Sequence, residues 1–219
     1  LKELQETIIA AGENPEVQVI ILKSGGDRTF CAGASFDELV AINDFPTGKK
    51  FFMGFANVIN ACRKCPKIII GRVQGKAVGG GVGLAAAVDY CLATRYAAIK
   101  LSELNVGIGP FVVGPAVERK IGISAMSQLT INANEFQSAE WAKAKGLYTD
   151  VLEDAATLDE AVLQMADYLL STNPEAQSML KKIFWENCSH WDELLEQRAE
   201  MSGRLVLSEY TKNALKAYS

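Results

Sequence analysis

The chain opens on apolar positions at helical spacing. Leu4, Ile8 and Ile9 stand among Lys, Glu and Gln, and the pattern spans residues 1–12, where glycine ends it. Residues 17–23 follow as a nearly continuous aliphatic run, the mark of a buried strand. Residues 35–42 predict a helix entry, with Ser35 as N-cap and Glu38 three positions later. Residues 48–64 are amphipathic, with Phe52, Phe55, Ile59 and Cys62 on one face, and Pro66 then admits a second buried strand over 68–73. Beyond an apolar, Ala-rich helix, residues 90–94 and 99–101 predict short strands. Helices follow over 114–122 and 124–132, then over 138–145, which Gly146 stops. Residues 148–152 read as a strand and 158–170 as a long helix, and from Pro174 the pattern is helical to the end. Alternating strands and helices predict α/β layering over residues 1–154, with a helical region over 155–219.

One stretch between those elements bears on chemistry. Gly75, Gly79, Gly80, Gly81 and Gly83 fall within nine residues, where a strand gives way to the Ala-rich helix. Glycine has no Cβ, so the backbone N–H groups at such a helix start can reach a ligand oxygen. On its own the stretch leaves three readings open. One is a loose dinucleotide fingerprint through Gly81, Gly83 and Ala86, with Glu103 twenty residues beyond Gly83 as the ribose acid. Another is half of an oxyanion hole, and the third is close helix–strand packing.

Composition narrows the classes. The 219 residues suffice for one substantial core, and a net charge of −4 argues against general nucleic-acid or anionic-membrane binding. No apolar run has the roughly 20 residues of a membrane helix, and no basic-then-apolar leader opens the chain. Five cysteines, an odd number without a secreted-scaffold pattern, favour a reducing compartment. The expected location is cytoplasmic, unless a targeting peptide precedes Leu1. Cys62 and Cys65 form a C-x-x-C without a second ligand pair or a thioredoxin-like context, so no metal site is expected. The lone histidine, His190, sits at an expected helix–helix connection and disfavours Ser-His-Asp or Cys-His catalysis.

A second segment resolves the glycine stretch. After the strand over 17–23 and a turn through Gly25 and Gly26 comes Thr29-Phe30-Cys31-Ala32-Gly33-Ala34-Ser35-Phe36-Asp37-Glu38-Leu39. With the glycine stretch, and with residues 97–108 around Ser102-Glu103-Leu104, it resembles the crotonase (enoyl-CoA hydratase/isomerase) superfamily, in order and spacing along essentially the whole chain. NAD binding would leave the segment from Phe30 to Ser35 unexplained.

The resemblance implies a crotonase-like spiral of ββα units with a C-terminal α-helical trimerisation region. Relative to the family, the opening strand pair is expected to be missing before Leu1. It also implies an acyl-CoA substrate, no cofactor beyond the coenzyme A of that substrate, and a homotrimer or homohexamer. Carried over by position, the family's oxyanion donors are the backbone N–H groups of Ala34 and Gly80, and its later glutamate is Glu103. Ala32, Ser35, Gly79, Gly83 and Phe111 fall at substrate- or CoA-binding positions. The hydratases' other glutamate falls on Gly83, which has no side chain.

A single carboxylate suffices to move a proton from one carbon to another, whereas water addition in the family uses two. The turn Gly107-Ile108-Gly109-Pro110-Phe111 also looks like that of the family's isomerases. The expected reaction is therefore 3-enoyl-CoA to 2-enoyl-CoA isomerisation. The alternatives are a hydratase with another acid and a degenerate acyl-CoA-binding subunit. Lys23, Arg28 and Lys76 are candidate phosphate contacts. Asp89 reads as structural, and Glu118 as an exposed ion-pair residue second in line to Glu103.

Overall fold

The first amphipathic segment forms helix α1 (Lys2–Glu13) and the aliphatic run after it forms strand β1 (Val19–Lys23) in the computed structural model, which describes residues 1–216. A turn leads to β2 (Thr29–Cys31), the short helix α2 (Phe36–Val40) and the long α3 (Phe45–Lys64). The unit repeats as β3 (Ile68–Val73), β4 (Lys76–Val78) and α4 (Gly80–Ala87), and again as β5 (Tyr90–Thr94), β6 (Ile99–Lys100) and α5 (Gly114–Ile131). Helix α6 (Ala139–Ala144) and strand β7 (Asp150–Leu152) precede α7 (Ala155–Leu170), α8 (Pro174–Phe184), α9 (Trp191–Leu205) and α10 (Glu209–Leu215).

Each turn of the spiral places its first strand in one sheet and its second in another. The sheets run β1-β3-β5-β7 and β2-β4-β6, and every pairing is parallel, with Ile20 opposite Ile69, Gly71 opposite Cys91 and Val78 opposite Lys100. This is the ββα spiral that the resemblance implies. Parallel strands need cover on both faces, and the larger sheet has it. Helix α7 seals one side by packing Leu158, Val162 and Ala166 on Ile70 and Leu92, while α3 and α4 bury the other among Ile59, Cys62, Ile69, Val73 and Ala85.

Helix starts follow their caps. Asp44 accepts the N–H of Thr47 and Pro46 sits in the first turn, so α3 begins three residues before the predicted 48. A capping box between Asp154 and Thr157 likewise starts α7 at Ala155. The predicted helices over 114–122 and 124–132 form one run with a kink at Gly122, whose φ is 74°. Strands β2 and β4 have three residues each, too short to show a period, and were not foreseen.

The helices after residue 154 are built into the core. Helix α9 crosses α3 so closely that a Cβ on Gly203 would lie 2.7 Å from the backbone nitrogen of Lys49. Lys181 of α8, with its side chain 2% exposed, meets Asp89 at 2.8 Å and also donates to the Lys67 carbonyl. Asp89 further accepts the Ile69 N–H and the Trp185 indole N–H, so its charge is neutralised and its oxygens are occupied. Its role is structural. Cys62 and Cys65 are buried free thiols; burial pushes Cys62 up to about 12, which denies it a thiolate at neutral pH. His190 is the N-cap residue of α9. No helix among the described residues is long and apolar enough to cross a membrane.

Candidate active site

The glycine stretch becomes the end of β4 and the first turn of α4, and each glycine answers to a different neighbour. Gly79 has φ 52°, and a Cβ there would stand 3.0 Å from Oε1 of Glu103. A Cβ on Gly80 would enter the Phe55 ring, at 2.0 Å from Cζ, and one on Gly81 would meet the Cys31 carbonyl at 2.4 Å. The packing reading and the oxyanion reading of this stretch are therefore compatible: bare Cα atoms admit the neighbours and leave the first-turn N–H groups uncovered.

The other glycine-containing segment meets it there. Gly33 has φ 90°, and a Cβ on it would lie 2.9 Å from the Val78 carbonyl and 3.5 Å from the Gly80 nitrogen. The loop after β2 thus lies against the start of α4, with Gly33 beside Gly80 and Ala34 next in the chain. Neither the Ala34 nor the Gly80 N–H donates a hydrogen bond among the described residues.

Glu103 opens a single 3-10 turn (Glu103–Val106) after β6, and Gly107, at φ 78°, closes it. The N–H of Ile108 binds the Glu103 carbonyl at 3.0 Å, which fixes the backbone at the acid. The carboxyl turns toward Gly79, and its Oε2 is sealed from solvent with no hydrogen-bond partner. That burial lifts its pKa from 4.5 to about 7, against a smaller opposing pull from its own backbone N–H.

These pieces line one cavity of about 230 Å³. Ala32, Ala34, Gly79, Gly80, Glu103 and Phe111 all border it, and Glu103 is the single carboxylate in its wall. Phe36, Phe51, Phe52 and Phe55 contribute to a largely apolar wall, with Phe51 and Phe52 edge to face at 5.2 Å.

Two residues expected at the site do not border the cavity. The Ser35 hydroxyl accepts the Glu38 N–H as the cap of α2. Gly83 lies deeper in α4, where a Cβ would collide with Val113 at 2.4 Å, so Val113 fills the place from which another carboxylate would have projected. Asp37, Glu38 and Glu118 are exposed and outside the wall, as are Lys23 and Arg28. Lys76 lies 4.9 Å above the Phe136 ring, which it shares with Lys100.

Sequence reasoning missed Lys100, Asn105 and Ser202, which also line the cavity. Lys100 and Asn105 flank Glu103 closely enough to have been considered. Ser202 lies about a hundred residues further on in an ordinary amphipathic helix and gave no signal.

Comparison with known proteins gives the chain a family. The chain matches the family model for enoyl-CoA hydratase/isomerase over residues 1–219. It is 28% identical over 220 residues to a short-chain-enoyl-CoA hydratase of Clostridium acetobutylicum, covering 100% of this chain and 83% of that protein. It is 32% identical over 185 residues to the mitochondrial methylglutaconyl-CoA hydratase of Mus musculus, covering 83% of this chain and 58% of the relative. The fold superposes on the crystal structure of an enoyl-CoA hydratase from Bacillus halodurans with a TM-score of 0.91 at 22% identity, over 99% of this chain and 88% of that one.

Proposed function

The chain belongs to the enoyl-CoA hydratase/isomerase family of crotonase-superfamily enzymes, and from that premise we propose that it isomerises 3-enoyl-CoA to 2-enoyl-CoA with Glu103 as its one proton carrier. The observation that carries this reading is the lone carboxylate in the cavity wall, whose Oε2 is buried without a partner.

The acyl-CoA thioester oxygen binds between the Ala34 and Gly80 N–H groups, while Ala32, Gly79 and Phe111 shape the cavity around the thioester and the acyl chain. The Glu103 carboxylate takes a proton from C2, and the electron pair left behind delocalises onto the thioester oxygen as a dienolate. The two N–H donors hold that negative charge, and losing one donor costs about 3–4 kcal/mol of transition-state stabilisation in comparable oxyanion holes. The protonated Glu103 then returns the proton to C4, and the double bond moves from C3–C4 to C2–C3. A carboxyl poised near pH 7 suits both halves, accepting and releasing the proton at similar cost. No water enters the balance, and the largely apolar wall favours its exclusion.

The test is to incubate the protein separately with a 3-enoyl-CoA and a 2-enoyl-CoA, separate the products chromatographically against standards of both isomers, and take their masses. Isomer of unchanged mass from the 3-enoyl ester is expected. A product heavier by one water from the 2-enoyl ester, without isomer from the other, would replace this reading with hydration.

Assembly as a homotrimer or a dimer of trimers is part of the reading. Leu180, Ile183 and Phe184 on α8, and Leu205 at the end of α9, lie on the surface in this chain, while Leu195 is spent in its own core. Light scattering at micromolar concentration reads the mass, and a monomer would contradict the assembly.

A further inference from the structure

The cavity wall contains a deeply buried hydroxyl that the reaction above does not use and the fold does not satisfy. Ser202, in the middle of α9, is 1% exposed and borders the cavity opposite the mostly phenylalanine surface of α3. It immediately precedes Gly203, where the backbones of α9 and α3 come into close contact at Gly48. Its hydroxyl makes no hydrogen bond among the described residues. Ser102, also in the wall and without a side-chain hydrogen bond, is only half-buried, and several other serines are satisfied within the fold. Ser127, also within a helix, turns its hydroxyl back to the Ile123 carbonyl at 2.9 Å, and Ser35, Ser138 and Ser208 cap helix starts. A buried hydroxyl without a partner is unfavourable among apolar side chains, and a ligand in the cavity can supply that partner.

We infer that Ser202 is a specificity-determining residue, which hydrogen-bonds an uncharged polar group carried by the acyl chain. The inference rests on the acyl-CoA reading and adds the chemical class of the acyl group. An uncharged group fits because the ionisable residues of the wall are Glu103 and Lys100 alone, and Lys100 is turned to the Phe136 ring. A carboxylate beside Ser202 would be buried against phenylalanine with no counter-charge.

The test compares calorimetric binding of hexanoyl-CoA with that of its 4-, 5- and 6-hydroxy derivatives, in the wild type and in Ser202→Ala. Alanine suits a helix, and Ser202→Cys serves as a second variant that keeps the size but donates weakly. For one hydroxyl position, affinity relative to hexanoyl-CoA is expected to fall roughly three- to tenfold in Ser202→Ala. The cysteine variant is expected to lose most of the same preference. Hexanoyl-CoA itself should bind the alanine variant at least as well as the wild type. Unchanged ratios at all three positions, with hexanoyl-CoA still binding, would overturn the inference and leave the acyl-CoA reading intact. Failure of every ester to bind the wild type would remove both.

Discussion

Glu103→Gln removes the proposed proton carrier, and the structure says that it also relieves a folding cost. The carboxyl titrates at about 7 in the folded chain against an ordinary 4.5, because burial disfavours its charged form. Between those values the folded state holds a proton that the unfolded chain has released. The favourable contribution is therefore complete below pH 4.5 and is lost as pH rises through 7. At about 1.4 kcal/mol per pH unit, the ionised carboxylate costs the folded state about 3 kcal/mol at alkaline pH.

Glutamine has the same shape and does not titrate. Urea denaturation of wild type and Glu103→Gln, at one protein concentration and across pH, reads the difference directly. The variant's advantage is expected to grow by about 2–3 kcal/mol between pH 5 and pH 8 and then level off. In the wild type, isomerase kcat/KM should rise with pH and reach half its plateau near pH 7, while the variant loses about 10²–10⁴-fold. A stability difference that stays flat from pH 5 to pH 8 would refute the reasoning, since a solvated carboxylate gives that result.

Gly83→Ala should destabilise the fold by about 1–3 kcal/mol through overpacking against Val113, and Val113→Ala in the same chain should recover part of the loss. Thermal unfolding of the two single variants and the double variant checks the coupling; additive losses would mean that the two do not touch. Asp89→Ala leaves Lys181 buried without its counter-charge and is expected to cost about 3–5 kcal/mol, with the midpoint in urea as the measure. A near-neutral Asp89→Ala would show that Lys181 escapes to solvent.

Much of the cavity was legible in the sequence because the proposed chemistry uses backbone at glycines and one flanked carboxylate. Backbone donors need bare Cα atoms, and those appear in a sequence as clustered glycine; Gly33, Gly79 and Gly80 duly converge at the cavity. Glu103 stood out among Leu101, Leu104 and Val106, and the tertiary structure buries its carboxyl. Less was legible where a residue's role depends on a distant partner. Ser35 and Gly83 look like site residues in one dimension, yet a local cap claims the Ser35 hydroxyl, and Val113, thirty positions away, claims the space beside Gly83.

The alternation of strands and helices and the helical ending were carried by the sequence itself, and the ββα repeat by the family resemblance. Buried parallel strands read as continuous aliphatic runs, and amphipathic helices repeat at 3.6 residues. Three-residue strands such as β2 and β4 have no period of their own, and only pairing with one another and with β6 defines them. The tertiary structure alone decided that Gly33 and Gly80 lie side by side and that Phe51, Phe55 and Ser202 share the cavity wall with Glu103. Periodicity reports which face of an element is buried, whereas the neighbour across that face is chosen by packing between segments a hundred or more residues apart.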